Sequence, residues 1–214
     1  MLLLSGFSAL LFVWLTVAAA VADAQTGGFD YYLLSLSYAP NFCAQPGNYK
    51  ELRECGTGRR VGFLVHGLWP ESNAGRGPSK CGPAQPVGEP LVRVMLRYFP
   101  GEAMIQHEWA THGTCSGLSQ ADYFAAVRKA HDAVAIPPAL AAPASAVKLA
   151  PEELVTAFRS ANPSFPRGAF AFSCYRNGEL QEARVCFDKS LSPRPCGNGT
   201  GLCRARVATL LPVN

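Results

Sequence analysis

The chain has 214 residues, of which 49% are hydrophobic and 16% charged, against about 25% charged in an average globular protein. That balance excludes intrinsic disorder, a coiled coil and a nucleosome-type basic protein, and the length fits one domain with a processed segment. The net charge of +4, from 19 Lys and Arg against 15 Asp and Glu, suits a polyanionic partner without requiring one. Eight cysteines, an even number, point to an oxidising compartment.

Residues 1–24 have the form of a signal peptide. Positions 9–22 are apolar apart from Thr16, and Ala22-Asp23-Ala24 matches the A-x-A cleavage pattern, although no Lys or Arg precedes the stretch. Cleavage after Ala24 removes Asp23 as its only charge and leaves all eight cysteines in residues 25–214. No later segment approaches the ~18 apolar residues of a membrane span. One domain over 25–214 is expected, secreted or periplasmic and without stable membrane association after processing, the alternative being an uncleaved membrane anchor over residues 1–24; a monomer is the simplest state.

In chain order, residues 29–39 alternate at Leu34, Leu36 and Tyr38 and predict a strand. Residues 61–66 predict a second strand, stopped by Gly67 and Pro70. Positions 71–90, with four Gly and four Pro, predict a long loop held by Cys81. Residues 91–99 read as a helix with Leu91, Val94, Met95 and Tyr98 on one face, and 107–115 as a short helix ending at Gly113 or Gly117. Ser119 opens a capped helix carrying Tyr123, Phe124 and Val127, with His131 on its apolar side. Residues 133–150 are an Ala/Pro-rich connector, and a helix opened by Pro151-Glu-Glu closes at Asn162-Pro163.

Residues 170–176 and 179–187 flank Asn177-Gly178 and predict a hairpin with a two-residue turn. In that register Cys174 faces Gln181 and Cys186 lies opposite Ala169. Those two cysteines are too far apart to bond, so each needs another partner, and Cys196 and Cys203 are nearest in sequence. Strand, helices and a hairpin with pinned loops indicate an α+β fold, a single domain.

Three of the four histidines fall in two segments, His66-Gly-Leu-Trp69-Pro70-Glu71 and His107-Glu108-Trp-Ala-Thr111-His112-Gly-Thr-Cys115. At the first, Gly67 would let a ligand approach the backbone and Trp69 offers a flat face for stacking. The second resembles a zinc-binding H-E-x-x-H helix, but its histidines are five apart, about 140° around a helix rather than on one face. Glu108 and His112 are the i, i+4 pair, an arrangement expected to raise the histidine's pKa and orient its ring. No other Cys/His cluster has metal-ligand spacing once the cysteines pair. Two imidazoles suit a reaction that removes one proton and donates another near neutral pH. RNA cleavage is such a reaction, because the substrate supplies its own 2′-hydroxyl nucleophile.

Both segments, in this order, resemble the active-site motifs of the ribonuclease T2 family, secreted and disulfide-bonded endoribonucleases. The likeness extends to Phe29-Asp-Tyr-Tyr-Leu and to Leu180-Gln-Glu-Ala-Arg-Val-Cys-Phe187, which are similar to bacterial members. The resemblance implies a ribonuclease T2-like fold, with a central antiparallel sheet flanked by helices and four disulfides. It also implies metal-independent cleavage of single-stranded RNA through 2′,3′-cyclic phosphate ends, with low base specificity and no cofactor. His66 and His112 match the principal acid and base, and Glu108 the carboxylate that completes the catalytic set. His107 matches a phosphate-binding histidine, Trp69 a base-stacking residue, and Glu71 an acid that contacts a base in some members. The implied disulfides are Cys43–Cys55, Cys81–Cys115, Cys174–Cys203 and Cys186–Cys196. Many members carry Lys where this chain has Thr111, which puts more of the phosphate's charge on His107. The competing readings are a secreted binding module without activity, which would normally have lost one histidine, and a zinc hydrolase, which a chelator would inhibit. The run from Gly197 to Gly201, between two cysteines, reads as a turn.

Overall fold

The alternation that begins at Phe29 forms strand β1 (Tyr31–Tyr38), and the whole sheet is organised around its two faces. The computed structural model describes residues 28–48, 55, 60–201 and 203–213, so the expected leader over residues 1–24 lies outside the described residues. A short helix α1 (Ala39–Ala44) follows β1, and β2 (Phe63–Glu71) returns antiparallel beside it. Next come α2 (Glu89–Met95), α3 (Glu102–Thr111), α4 (Gln120–Asp132), α5 (Pro138–Ala141), β3 (Val147–Leu149) and α6 (Pro151–Ala161). The chain ends with β4 (Phe170–Cys174), β5 (Leu180–Phe187) and β6 (Ala208–Leu210). One sheet has the order β2-β1-β5-β4, antiparallel throughout, and β3 pairs with β6 in a second, two-stranded sheet.

Period-2 alternation gives the main sheet one apolar and one polar face. Tyr32, Leu34 and Leu36 lie level with Phe187, Val185 and Ala183 of β5, Tyr38 continues their face, and Phe170 and Phe172 of β4 extend the same surface. Tyr123, Phe124 and Val127 of α4 and Leu154 and Phe158 of α6 pack into this buried core. Burial of each such side chain stabilises the fold by about 1.5–3 kcal/mol before the entropy of ordering the chain is set against it. The other face carries Tyr31, Leu33 and Ser35 of β1, Trp69 and Glu71 of β2, and Glu182 and Arg184 of β5.

Strand β2 differs from its expected end. Gly67 and Pro70 do not stop it: the strand runs on to Glu71, and Pro70 is tolerated because β2 lies at the sheet's edge, where a missing N–H costs no ladder bond. Gly67 instead marks an irregularity. Ser35 pairs with Gly67 while Leu36 pairs with Val65, so His66 is an extra residue in a bulge. A bulge breaks the alternation locally and re-aims the side chain it carries.

The other departures are local. Helix α2 buries Val92 and Met95 with Phe99 just beyond it, and leaves Val94 exposed, so the expected apolar face is rotated. The second histidine segment is not a helix of its own. Helix α3 begins earlier, after Gly101, ends at Thr111, and passes through His112 into a single 3₁₀ turn at Gly113–Cys115. Part of the 133–150 connector is ordered as α5 and β3. The hairpin turn has three residues, not two: Tyr175 N–H donates to Glu179 and Gly178 N–H to Tyr175, with Gly178 left-handed at φ +84°. That is a type I turn closed by a glycine, and the irregularity it brings pairs Cys174 with Leu180 rather than Gln181.

The Ser119 cap, the α4 stripe and the closure of α6 at Asn162 are as expected. All four disulfides have the implied partners, Cys43–Cys55, Cys81–Cys115, Cys174–Cys203 and Cys186–Cys196. Among the described residues, no helix is long and apolar enough to cross a membrane.

Candidate active site

The bulge at His66, the end of α3 and the polar face of β5 meet at one place. Strand β5 buries Ala183 and Val185 in the core, and its alternate residues Glu182 and Arg184 therefore stand on the polar face beside β1. Glu182 is 2% exposed, and its Oε1 lies 2.7 Å from Nδ1 of His66. Its other oxygen accepts from Arg184 Nε and Nη2 at 2.9 and 2.8 Å, and from Ser173 Oγ at 3.3 Å. Burial alone would raise this carboxyl, but the His66 hydrogen bond and the Arg184 guanidinium outweigh it and bring it down to about 2.

Helix α3 turns Ile105 and Glu108 inward and leaves His107 exposed. Glu108 is 1% exposed; its Oε2 accepts from the Trp69 indole N–H at 2.9 Å, and its Oε1 lies 3.9 Å from Nε2 of His66. Burial pushes this carboxyl up to about 7, a rise that His66 and the Trp69 bond oppose and the nearby Glu182 reinforces. Gly67 is explained by this contact. A methyl group at residue 67 would fall 1.9 Å from Glu108 Oε2 and 2.4 Å from Trp69 Nε1, so the glycine makes room for the bond between them rather than for a ligand.

His112 ends α3 and donates its backbone N–H to the Glu108 carbonyl at 2.9 Å. The expected pairing of its ring with the Glu108 carboxylate does not form, because that carboxylate is turned toward Trp69 and His66. Instead the ring stacks on Trp69, centroids 5.4 Å apart and planes 30° apart, and its Nδ1 is buried without a hydrogen-bond partner among the described residues. Burial lowers its pKa to about 4, and the positive charge of His107 and His66 adds to the effect, so the expected direction is reversed. Trp69 thus separates two histidines of unlike surroundings, with His66 edge-on to its ring at 5.1 Å.

A cleft of about 660 Å³ opens on this face. Trp69, Glu71, Thr111 and His112 line it from the two histidine segments, together with Arg76 and Arg184. Asn198, Gly199 and Thr200 form part of its wall, so the 197–201 run is more than a connecting turn. Glu71 accepts the Gly77 N–H at 2.9 Å, and its carboxyl is raised by burial against that bond. His107 stands on the exposed side of α3, with its Nε2 3.5 Å from the Thr111 hydroxyl. The structure therefore brings His66, Trp69, Glu108 and His112 into one cluster, places Glu71 farther along β2, and leaves His107 at the outer edge.

Two residues of this cluster, Glu182 and Arg184, had no assignment from the sequence. The available signal was a Glu and an Arg two apart in a strand whose intervening and following residues are apolar, which places both charges on one face.

Fold and site together define a disulfide-bonded α+β protein with two histidines clustered about Trp69 beside a cleft on the polar face of its sheet. The chain belongs to the Ribonuclease T2 family, whose sequence model matches residues 29–196. It is 32% identical over 181 residues to a "Probable ribonuclease" of Haemophilus influenzae, covering 78% of this chain and 61% of that protein. It is 36% identical over 107 residues to a "Ribonuclease" of Aeromonas hydrophila, covering 50% of this chain and 46% of that one. The chain thus spans about half to three fifths of the length of these curated relatives. Among solved structures, an RNase-related protein from Calystegia sepium shares the fold at a TM-score of 0.69 and 22% identity, covering 87% of this chain and 98% of that one.

Proposed function

We propose that this protein is an endoribonuclease that cleaves single-stranded RNA by acid–base transphosphorylation, leaving 2′,3′-cyclic phosphate ends. The observation that carries the reading is the unlike environment of its two histidines, set on either side of Trp69. Catalytic groups divide acid from base by such differences of surroundings. His112, with its pKa lowered to about 4, is neutral at the pH of the reaction and suits the base. With Nδ1 buried, Nε2 is its working nitrogen. It takes the proton of the 2′-hydroxyl as that oxygen attacks the adjacent phosphorus. His66 sits between Glu108 and Glu182, and Glu182, held charged by its lowered pKa, stabilises a protonated ring, so His66 suits the acid. Its Nε2 gives a proton to the departing 5′-oxygen as the P–O bond breaks.

Glu108 faces His66 from the other side and completes the set. His107 binds phosphate at the outer edge, Trp69 stacks on a base, and Glu71 contacts a base edge. Stacking accepts any base, which supports low base specificity. The reaction as proposed needs no metal, because the substrate supplies its own nucleophile and the two histidines move the protons. The eight cysteines and the signal-peptide form of residues 1–24 support secretion or a periplasmic location, and the protein is proposed as a monomer. The test is cleavage of a single-stranded RNA by wild type, His66→Ala and His112→Ala with a chelator present. Each variant is expected to lose about 10²–10⁴-fold in kcat. Wild-type rates in either, or loss of wild-type activity on chelation, would contradict the proposal.

A further inference from the structure

The acid histidine is held by a residue outside both histidine segments. Nδ1 of His66 is fixed by Glu182 at 2.7 Å, and Glu182 is fixed in turn by two bonds from Arg184 and one from Ser173. Arg184 then donates Nη1 to the Thr200 carbonyl at 2.9 Å, in the loop that forms part of the cleft wall. A carboxylate this buried is costly to keep charged unless its partners compensate. Here Arg184 and Ser173 hold Oε2 and leave Oε1 to one imidazole, which has been lifted out of strand alternation by a bulge. We infer that Glu182 is a positioning residue for His66: it keeps a proton on Nδ1, turns Nε2 toward the scissile phosphate and stabilises the charged ring, with Arg184 clamping it to the cleft wall.

The inference rests on the reading of His66 as the acid. Among the described residues, the charged and titratable groups facing His66 include Glu182 from β5, which Arg184 holds, Glu108 from α3 and His112 at its end. Glu182 makes the shortest contact among them. Removing its charge should make the protonated ring harder to form, while the sheet beneath it stays the same.

Glu182→Gln keeps the size of the side chain and an acceptor for the Nδ1 proton but removes the charge. Its kcat and KM on a dinucleotide should be measured from acidic to mildly alkaline pH, with the His66 titration followed by NMR. We expect the basic limb of kcat to move to lower pH by about one to two units, with the His66 titration moving equally. At pH 7 kcat should fall about 10–100-fold with KM within about threefold, and much of the activity should survive at pH 5. An unmoved His66 titration would overturn the inference, as would a loss uniform across pH with a raised KM. If the Gln variant fails to fold, Glu182→Asp decides: charge kept but reach shortened should leave the limb within about half a unit and lower kcat, and a wild-type kcat overturns the inference. His66→Ala run alongside separates the two failures. If it stays active, the acid assignment falls, and the NMR titration still reports whether Glu182 and His66 are coupled.

Discussion

The indole N–H of Trp69 donates to Oε2 of Glu108, 39 residues later, at 2.9 Å, and this bond joins the two histidine segments into one site. Trp69→Phe keeps an apolar ring and removes the donor. Leaving a buried carboxylate oxygen unpaired should cost about 1–3 kcal/mol, read as a lower midpoint in urea unfolding, with kcat/KM falling in parallel. A Phe variant that unfolds at the wild-type midpoint would show that the bond contributes nothing.

His112 titrates near 4 in the folded protein and near 6.5 when free, so the unfolded chain binds the extra proton between those values. Its contribution to stability is therefore present above about pH 6.5 and lost as pH falls toward 4. As the base it stays neutral over the same window, so kcat/KM should hold through pH 5 and drop only near pH 4. His107→Ala removes one positive charge that depresses His112, and the acid limb should move upward. A limb near 6.5 in the wild type would contradict the burial argument.

Thr111 lines the cleft beside His112, with the His107 ring 3.5 Å from its hydroxyl. On the proposed reading, threonine brings no charge to this position, which leaves His107 to offset the charge on the phosphate. Thr111→Lys supplies a cation that does not titrate near neutrality. It should raise kcat/KM above pH 7 by about tenfold and flatten the dependence on acidic pH. A pH–rate profile superimposable on wild type would contradict this.

The Cys81–Cys115 bridge closes a segment of 34 residues and pins the long loop over residues 72–88, between β2 and α2, to the turn after His112. The Lys80 N–H, donating to the Thr111 carbonyl at 2.7 Å, reinforces the same junction. Replacing both cysteines by serine should cost about 4 kcal/mol from loop entropy. Activity should fall further than stability alone explains, measured well below the melting temperature, because His112 loses its anchor.

What the sequence revealed and what it hid have physical causes. Alternation at Leu34, Leu36 and Tyr38 reports a buried face directly, and the Ser119 cap and the Asn162 stop are chemistry carried by single residues, so these elements were legible. The two histidine segments marked the site for the same reason. Gly67 and Pro70 misled because both usually break strands; an edge position and a bulge accommodate them here, and neither is visible without the neighbouring strand. The Glu108–His112 pairing failed for a related reason. Helical spacing places the two residues near each other but does not say which way a carboxylate turns when an indole and a second histidine compete for it. Glu182 was hidden by distance, since its partner lies 116 residues earlier and only the β1–β2 and β1–β5 registers together bring them near each other.

The most direct test of the account is the chemistry of the ends produced from a defined single-stranded RNA with EDTA present, beside a strand carrying a single 2′-deoxy residue at the cleavage position. The account predicts cleavage to 2′,3′-cyclic phosphate ends, no cut at the deoxy position, and loss of both results in His66→Ala and His112→Ala. Cleavage of the deoxy site, or products ending in 5′-phosphate, would mean that the nucleophile is not the substrate's own 2′-oxygen and would contradict the two-histidine mechanism.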